Sequence, residues 1–213
     1  SIDVASSTTQ GGGATILGEQ VAVSGTVDAS GATGGGLVRI GGDYQGQNTN
    51  LANAQTTNIS GTISADSSLN GDGGRVIIWA DGVTTFTGDL SATGSGSGSG
   101  GFAEVSGKNI LNFEGSVDLT ASNGQTGSLL LDPSNITISS ATDASITGNP
   151  NFAPDGAPSS SVINLTTLNN ALQSSNVTIT TSSLASERGD VTISGAIQPT
   201  GDTTNNSLTI TAD

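Results

Sequence analysis

Cysteine, histidine and methionine are all absent from the 213-residue chain. The chain therefore forms no disulfide, has no thiolate nucleophile or histidine base, and binds no metal through sulfur or imidazole. The lack of cysteine also fits a protein that is exported. Aromatic residues make up only 3% of the sequence, and charged residues make up 10%, well below the roughly 25% of a typical soluble domain. These absences remove the commonest catalytic groups from consideration.

Basic residues are nearly absent as well, with 4 Lys and Arg against 18 Asp and Glu, so the formal net charge is −14. This balance argues against nucleic acid and against an anionic membrane surface, because both need clusters of cationic side chains. No run approaches the roughly 20 apolar residues of a membrane span, so we expect a chain that is not membrane-embedded. Solubility of a secreted protein and binding of divalent cations are the two interpretations of the acidic excess.

Glycine is abundant, and it introduces a repeated element that reads Gly, then any residue, apolar, any residue, apolar. The five copies are "GATIL" (13–17), "GLVRI" (36–40), "GRVII" (74–78), "GFAEV" (101–105) and "GSLLL" (127–131). The second and fourth residues after each glycine are expected to point inward. In these positions Thr15 and Leu17 of the first copy align with Val38 and Ile40 of the second. The residue between the two inward positions tolerates charge, as at Glu104. This alternation predicts a strand with one buried and one wet face.

A second element, apolar-x-Gly-x-apolar-x-(Ala/Leu), follows each of the first four copies. Its copies are "VSGTVDA" (23–29), "ISGTISA" (59–65), "FTGDLSA" (86–92) and "FEGSVDL" (113–119), and a shorter "ISGAI" (193–197) comes near the end. Gly61, Gly88 and Gly115 of this element lie 27 residues apart. The opening "SIDVAS" matches the end of the element, so the chain begins partway through a repeat, and we expect it to be an internal or trimmed piece of a longer protein.

A period of about 27 residues with two or three short strands predicts an all-β fold, a right-handed parallel β-helix of seven or eight coils with one short helix-containing insertion. Propeller blades need about 40 residues and helical repeats need a 3.6-residue pattern, so neither fits. Stacking predicts that Val38 lies beside Val76, and Phe86 beside Phe113. Glycine is expected at the corners, where a side chain is unwelcome.

The repeat breaks in two places and divides the chain into three parts. Residues 1–138 are predicted to form regular coils, 139–163 a Pro/Ser-rich loop insertion, and 164–213 a short helix over 166–173 followed by further coils. The helix is indicated by Leu165, Leu168 and Leu172 at helical spacing, with Asn164 in the capping region. A second, smaller excursion over residues 43–57 enlarges one coil.

The segments "GGLVRIGGDYQG", "GDGGRVIIWADGVTTFTGDLSATG", "GGFAEVSGKNILNFEGSVDLTA" and "GSLLLDPSNITI" resemble filamentous-haemagglutinin-like large exoproteins, including the high-molecular-weight adhesin type. The later "LTTLNNALQSSNVTITT" agrees with the same family. The resemblance covers nearly the whole chain and implies a secreted shaft, exported by two-partner secretion through an outer-membrane pore. It implies adhesion or biofilm cohesion at the bacterial cell surface, with surface glycans, proteins or copies of the chain itself as partners. It supplies no catalytic residue.

Candidate catalytic and metal-binding groups are few. Asp89 and Glu114 flank corner glycines one coil apart, but their offsets differ, and the four cations form no cluster, so we expect no enzyme activity and no cofactor. Asp3 and Asp28 share one column, and Asp72 lies in an acidic glycine loop, which makes these three weak candidates for a calcium ion. Exposed, screened carboxylates are the alternative interpretation.

Candidate sugar contacts are Tyr44, in the excursion with its Asn and Gln neighbours, and Trp79, the only tryptophan. A solvated loop at Tyr44 and a packing cap at Trp79 remain the alternatives. Sequons for glycosylation, a modification that some members of the resembled family carry, occur at Asn58, Asn135, Asn164, Asn176 and Asn205. The leading hypothesis is a non-catalytic adhesin shaft. A self-assembling extracellular filament and a polysaccharide-active enzyme are the alternatives.

Overall fold

A computed structural model describes residues 1–140, 161–181, 189–199 and 205–212. Within them the chain is all-β apart from one α-helix and one short 3-10 helix, and its strands form three parallel sheets. No helix among the described residues is long and apolar enough to cross a membrane.

The described strands fall into three sheets, in each of which consecutive members are hydrogen-bonded neighbours. Sheet 1 has five strands: β1 (Ile2–Asp3), β4 (Thr26–Asp28), β7 (Thr62–Ser64), β10 (Asp89–Ser91) and β13 (Ser116–Asp118). Sheet 2 has seven: β2 (Gly13–Ile16), β5 (Leu37–Ile40), β8 (Arg75–Ala80), β11 (Phe102–Gly107), β14 (Ser128–Leu131), β17 (Asn176–Thr180) and β19 (Leu208–Thr211). Sheet 3 has seven: β3 (Gln20–Val23), β6 (Thr56–Ile59), β9 (Val83–Phe86), β12 (Ile110–Phe113), β16 (Ser161–Asn164), β15 (Ile136–Ser139) and β18 (Val191–Ile193).

From β2 to β13 the chain visits sheets 2, 3 and 1 in turn, four times over. One such passage is called a coil. Every strand pair is parallel, and corresponding strands of successive coils are neighbours. This arrangement is consistent with a parallel β-helix, whose apolar interior is shared by all coils.

The predicted columns of side chains are present in the strand register. Val38 pairs with Val76, Val76 with Ala103, and Ala103 with Leu129, and all four side chains are buried. The first copy is the exception, because Ala14 rather than Thr15 pairs with Val38. The predicted register there was wrong by one residue.

The error at the first copy has a simple physical cause. Ala14 is 6% exposed, whereas Leu17, expected to point inward, is 40% exposed. A one-residue shift turns the polar Thr15 outward and places Ala14 and Ile16 on the core face, which is the pairing that buries apolar side chains.

Sheet 3 contributes the largest core side chains. Phe86 and Phe113 lie on adjacent strands with their rings stacked, 5.6 Å between centroids and 12° between planes. Next to them on the core face are Thr57 and Thr84, whose hydroxyls donate 2.7 Å hydrogen bonds to the carbonyls of Trp79 and Ser106. Each buried hydroxyl is thereby satisfied, which removes the main cost of placing threonine in a core.

The second half of sheet 3 departs from sequence order. β16 lies between β12 and β15, and Ser161 Oγ accepts a 2.8 Å hydrogen bond from the Leu111 amide. Most of the loop predicted over 139–163, residues 141–160, lies outside the described residues. Its two ends are corrected, because Ser139 ends β15 and residues 161–163 belong to β16, where Ile163 is fully buried.

The predicted helix is present as α1 (Leu165–Ser174). Asn164 caps it, accepting a 2.7 Å hydrogen bond at Oδ1 from the Thr166 amide. Leu168, Ala171 and Leu172 are its buried residues. The helix contacts β13, and the Leu119 amide donates to the Ser174 carbonyl at 3.0 Å. α1 therefore lies against the last strand of sheet 1, where the ladder would otherwise continue.

The stacked phenylalanines generate a test of this core. Truncation in Phe113→Ala should lower the free energy of unfolding by about 3–5 kcal/mol, because the cavity opens against Phe86. Asn112→Ala, on the outward face of the same strand, should cost less than about 1 kcal/mol. Urea unfolding followed by circular dichroism measures both, and equal losses would contradict this placement of the core.

Candidate functional site

The excursion predicted between β5 and β6 lies on the outer face of sheet 2. Residues 43–54 of it are called the strap. The strap begins with the 3-10 helix Tyr44–Gly46, and the Ala54 amide donates to the Gly41 carbonyl at 2.6 Å, which closes the base. It belongs to the coil of β5, yet it contacts residues of three later coils.

Asp43 organises the start of the strap. Its Oδ1 accepts from the Tyr44 amide at 2.9 Å, and its Oδ2 accepts from the Asn48 side chain at 2.8 Å. Arg39 Nε lies 3.0 Å from Asp43 Oδ1. Burial alone would raise the pKa of Asp43, but these hydrogen bonds and the arginine hold it below its ordinary value. The base of the strap is therefore an ionised, well-satisfied turn.

The first turn of the strap contacts a buried carboxylate. The Gln45 amide donates to both oxygens of Glu104, at 3.2 and 3.1 Å, and Gln45 Nε2 donates to Asp132 Oδ2 at 3.0 Å. The Asp132 amide donates to Ser106 Oγ at 3.2 Å, and the Ser106 side chain is hydrogen-bonded to Glu104. Four residues thus form a closed ring of hydrogen bonds that joins the strap to β11 and to the end of β14.

Glu104 has an unusual environment for a carboxylate. It is fully buried, and its strand neighbours Ile77 and Leu130 are buried beside it. Burial raises the pKa of Glu104 to about 7 from an ordinary 4.5. Hydrogen bonds from Gln45 and Ser106 lower that pKa, the charge of Asp132 raises it, and the charge of Arg75 lowers it. Because no solvent reaches Glu104 while the strap is in place, the chemistry it offers is proton binding.

An aromatic cluster flanks this ring of hydrogen bonds. The Tyr44 ring meets the edge of Phe102 at 5.9 Å between centroids. The Arg75 guanidinium carbon lies 5.0 Å from the Tyr44 centroid and 4.3 Å from that of Phe102. Such contacts contribute about 0.5–1 kcal/mol each at exposed positions. Tyr44 remains 38% exposed, so a sugar contact at Tyr44 stays a prediction.

Trp79 does not present its ring to a ligand, and the predicted sugar contact there was wrong. It is 4% exposed, and Nε1 donates to Asp81 Oδ1 at 3.0 Å. A Cβ added at Gly46 would lie 2.6 Å from the indole, and one at Gly42 would lie 2.9 Å from it. The glycines allow the strap backbone to cover the ring, so the packing interpretation of Trp79 is the correct one.

A small polar cavity of about 190 Å³ remains beside the strap. Its lining includes Gln47, Asn53, Asp81, Lys108 and Asp132. A cavity of this size is suited to ordered water molecules rather than to an oligosaccharide.

Asp3 and Asp28 pair directly across β1 and β4, as predicted. Each carboxylate accepts a hydrogen bond from the amide two residues on, at 3.0 Å for Asp3 and 2.9 Å for Asp28. Asp72 instead accepts from the Ser99 amide of the next coil at 2.7 Å. Within the described part of the chain, no three acidic side chains converge as a metal-ligating group. These aspartates therefore cap turns and link coils, and calcium binding stays a prediction.

Asp89 and Glu114 line one open groove of about 470 Å³ between sheet 1 and α1, together with Asp118. The Asp89 carboxylate accepts a hydrogen bond from the Ser116 hydroxyl of the next coil. Glu114 is exposed and its amide donates to the Phe86 carbonyl at 2.9 Å. The structure thus brings the two predicted carboxylates to one groove but engages Asp89 in a link between coils.

The sequons divide into two groups. Asn58 lies on the outward face of β6 and Asn205 on a turn with φ of 55°, and both are exposed. Asn135, Asn164 and Asn176 are half-buried, and their side-chain oxygens accept hydrogen bonds from the amides of Asp190, Thr166 and Ser207.

Glu104, Asp132 and Gln45 were not among the residues chosen from the sequence. One signal was available for Glu104, because a charge stood between Ile77 and Leu130 in an outward column, two coils after the excursion over residues 43–57. No local pattern links Gln45 to partners 59 and 87 residues away.

No protein-family model and no curated protein matches the chain. The functional assignment therefore depends on the fold and on the geometry of these sites.

The buried carboxyl of Glu104 predicts how the stability of the protein depends on pH. The folded-state pKa of Glu104 is raised, so the folded protein holds a proton that the unfolded chain loses between about pH 4.5 and 7. Stability of the wild type therefore falls as pH rises through this window. Glu104→Gln should be more stable than the wild type at pH 8, by up to about 3 kcal/mol, and should differ little at pH 5.

Urea midpoints at pH 5 and pH 8 measure this difference. The control Glu114→Gln removes an exposed carboxylate and should give the same small change at both pH values. Equal effects of Glu104→Gln at the two pH values would contradict the buried charge.

Exposure also predicts which sequons can be modified. In protein purified from the producing cells, peptide mass mapping should place any added sugar at Asn58 and Asn205. The other three sequons should be unmodified, because their amides are engaged in the fold. Modification of Asn176 with Asn58 unmodified would be the opposite of the expected pattern.

Proposed function

We propose that the chain is a non-catalytic shaft segment of a large secreted bacterial exoprotein, folded as a right-handed parallel β-helix. Its function would be cell-surface adhesion or biofilm cohesion. Right-handedness is supported by the general preference of parallel crossover connections. Export through an outer-membrane pore by two-partner secretion belongs to the same proposal and is supported by the sequence motifs described above.

The observation that carries the proposal is the in-register stacking of the four coils from β2 to β13. Side-chain hydrogen bonds join residues 27 apart, as between Asp66 and the Thr93 amide at 2.7 Å, and between Asn70 and the Ser97 amide at 2.9 Å. Each coil is therefore bonded to its neighbours through sheets, side chains and core. A stack of this kind transmits load along its axis and can be lengthened by adding coils without changing any contact already made.

The surface chemistry supports an extracellular partner that is neither nucleic acid nor an anionic membrane. The net charge is −14, and two of the four cations, Arg39 and Arg75, already pair with Asp43 and with aromatic rings. Neutral glycans and protein surfaces are compatible with such a shaft. Tyr44, with its exposed edge, is the side chain we assign to sugar contact.

A self-assembling filament is the second candidate, and edge strands among the described residues favour it. Within those residues, β2, β3, β18 and β19 each have one hydrogen-bonded neighbour strand. Leu17, which follows β2, and Ile193, the last residue of β18, are 40% and 48% exposed. Unpaired edges with apolar neighbours are suited to addition of another strand. A second copy of the chain could supply that strand.

One set of measurements separates the candidates. Beads coated with the chain should be retained under flow on cells or biofilm matrix of the producing bacterium, and Tyr44→Ala beads should be retained less if the sugar contact is real. Mass photometry at rising concentration should show monomers for the shaft and growing oligomers for the filament. New reducing ends or unsaturated products from polysaccharides would overturn the non-catalytic part of the proposal. Wild-type beads that are not retained would overturn the adhesive part.

A further inference from the structure

The strap connects parts of the chain that are distant in sequence, and Gln45, in its first turn, makes the hydrogen bonds that reach furthest along the chain. Gln45 donates hydrogen bonds to Glu104 and Asp132, 59 and 87 residues away. We propose that the strap is a proton-controlled cover that lies closed on sheet 2 when Glu104 is protonated and lifts from Trp79 when Glu104 loses its proton. This inference does not depend on the proposed adhesive function.

The geometry places the strain of the strap at the same residue. Gln45 has φ of 52° and ψ of 23°, a left-handed conformation that is unfavourable for a residue with a side chain. The base of the strap is held independently, by Asp43 with Arg39 and by the Ala54 amide. Loss of the Gln45 contacts would therefore leave the base in place and leave Gly46 held by the hydrogen bond within its own turn and by the one that Asn53 Nδ2 donates to its carbonyl at 3.0 Å.

Charged groups approach Glu104 from each element packed against it. Arg75 of β8 favours the ionised form, but its guanidinium is shared with the rings of Tyr44 and Phe102. Asp132, after β14, disfavours the ionised form. The other titratable groups near the strap are Asp43 at its base and Asp81 and Lys108 beside the cavity. The charge of Arg75 thus lowers the pKa of Glu104, but by less than burial raises it.

The direction of the switch follows from proton linkage. In the closed form burial raises the pKa of Glu104 to about 7, whereas a solvated carboxyl would return towards 4.5. The closed form therefore binds the proton more tightly, and the equilibrium constant for opening rises about tenfold for each pH unit between these values. The strap is closed most firmly at acidic pH, and opening is favoured most at neutral pH and above.

Trp79 is a built-in reporter of this motion. It is the only tryptophan in the chain, and the strap glycine Gly46 covers its ring together with Gly42, which precedes the strap. When the strap lifts, the indole contacts water. Its emission should then shift to the red, and a soluble quencher such as acrylamide should reach it.

The experiment is acrylamide quenching of Trp79 fluorescence in the full chain from pH 5 to pH 9, with circular dichroism recorded at each pH. The quenching constant should rise several-fold between pH 5 and about pH 7 and level off above that, while the sheet signal stays constant. Glu104→Gln should remain unquenched across the range. The matched control Glu114→Gln should keep the wild-type transition, because Glu114 is exposed and lies away from the strap.

Gly46→Val supplies the open reference state, because its Cβ would lie 2.6 Å from the indole at a φ of 62°. It should be quenched at every pH. A flat wild-type profile, or a Glu104→Gln profile that repeats the wild-type transition, would overturn the proposal.

A second measurement uses the wild type alone and does not depend on any variant folding. Amide hydrogen exchange, corrected for the intrinsic effect of pH, should show that the strap peptide loses protection between pH 5 and about pH 7 while β8 and β11 stay protected. Unchanged protection of the strap would also overturn the proposal.

Discussion

Successive coils must place their parallel strands about 4.8 Å apart and in the same register, and this single constraint shapes the whole structure. It puts each inward side chain against its counterpart one coil away, so columns form from residues of matching size, such as Val38 with Val76 or Phe86 with Phe113. It also brings corners together. A Cβ at Gly88 would lie 2.1 Å from the Gly61 carbonyl oxygen, so the corner accepts no side chain. The repeat therefore preserves volume and backbone geometry rather than chemistry.

The same register explains what the polar residues do. One column consists of the last residues of the sheet 1 strands. In it, Asp28 and Asp118 accept hydrogen bonds from the amides two residues on, whereas the coils between them carry Ser64 and Ser91. In those coils Asp66 supplies the carboxylate instead, and it accepts hydrogen bonds from Ser91 Oγ and from the Thr93 amide. Side-chain oxygens thus complete the hydrogen bonding of corners that the strand ladders do not reach. These acidic side chains therefore have a structural role in the corners, whether or not they also bind a cation.

Where the period was intact, the sequence was sufficient to predict the columns. Gly61, Gly88 and Gly115 fixed the spacing, and the sheet 1 and sheet 3 pairings followed. The three consecutive glycines before Ala14 concealed the register, because any of them could stand at the corner, and only burial decides between them. β16 was missed because its neighbour in space, β12, is nearly fifty residues earlier in the chain. Glu104 was missed for the same reason, since the strap that buries it comes from a different coil.

The two breaks in the repeat differ in how they satisfy the backbone, and this difference determines what each can do. α1 takes the place of a strand at the end of sheet 1, but a helix cannot continue the ladder of hydrogen bonds. The Ser174 hydroxyl donates to the Val117 carbonyl of β13, and the Leu119 amide, just after β13, donates to the Ser174 carbonyl. Among the described residues, sheet 1 therefore stops at β13 while sheets 2 and 3 continue to β19 and β18. The strap replaces nothing, because it lies over a sheet whose own ladder is complete. Removing α1 would expose unpaired backbone of the coils, whereas lifting the strap uncovers side chains of sheet 2 and frees backbone groups of the strap alone, such as the Gln45 amide. The strap is therefore the break that the coils beneath it can tolerate losing.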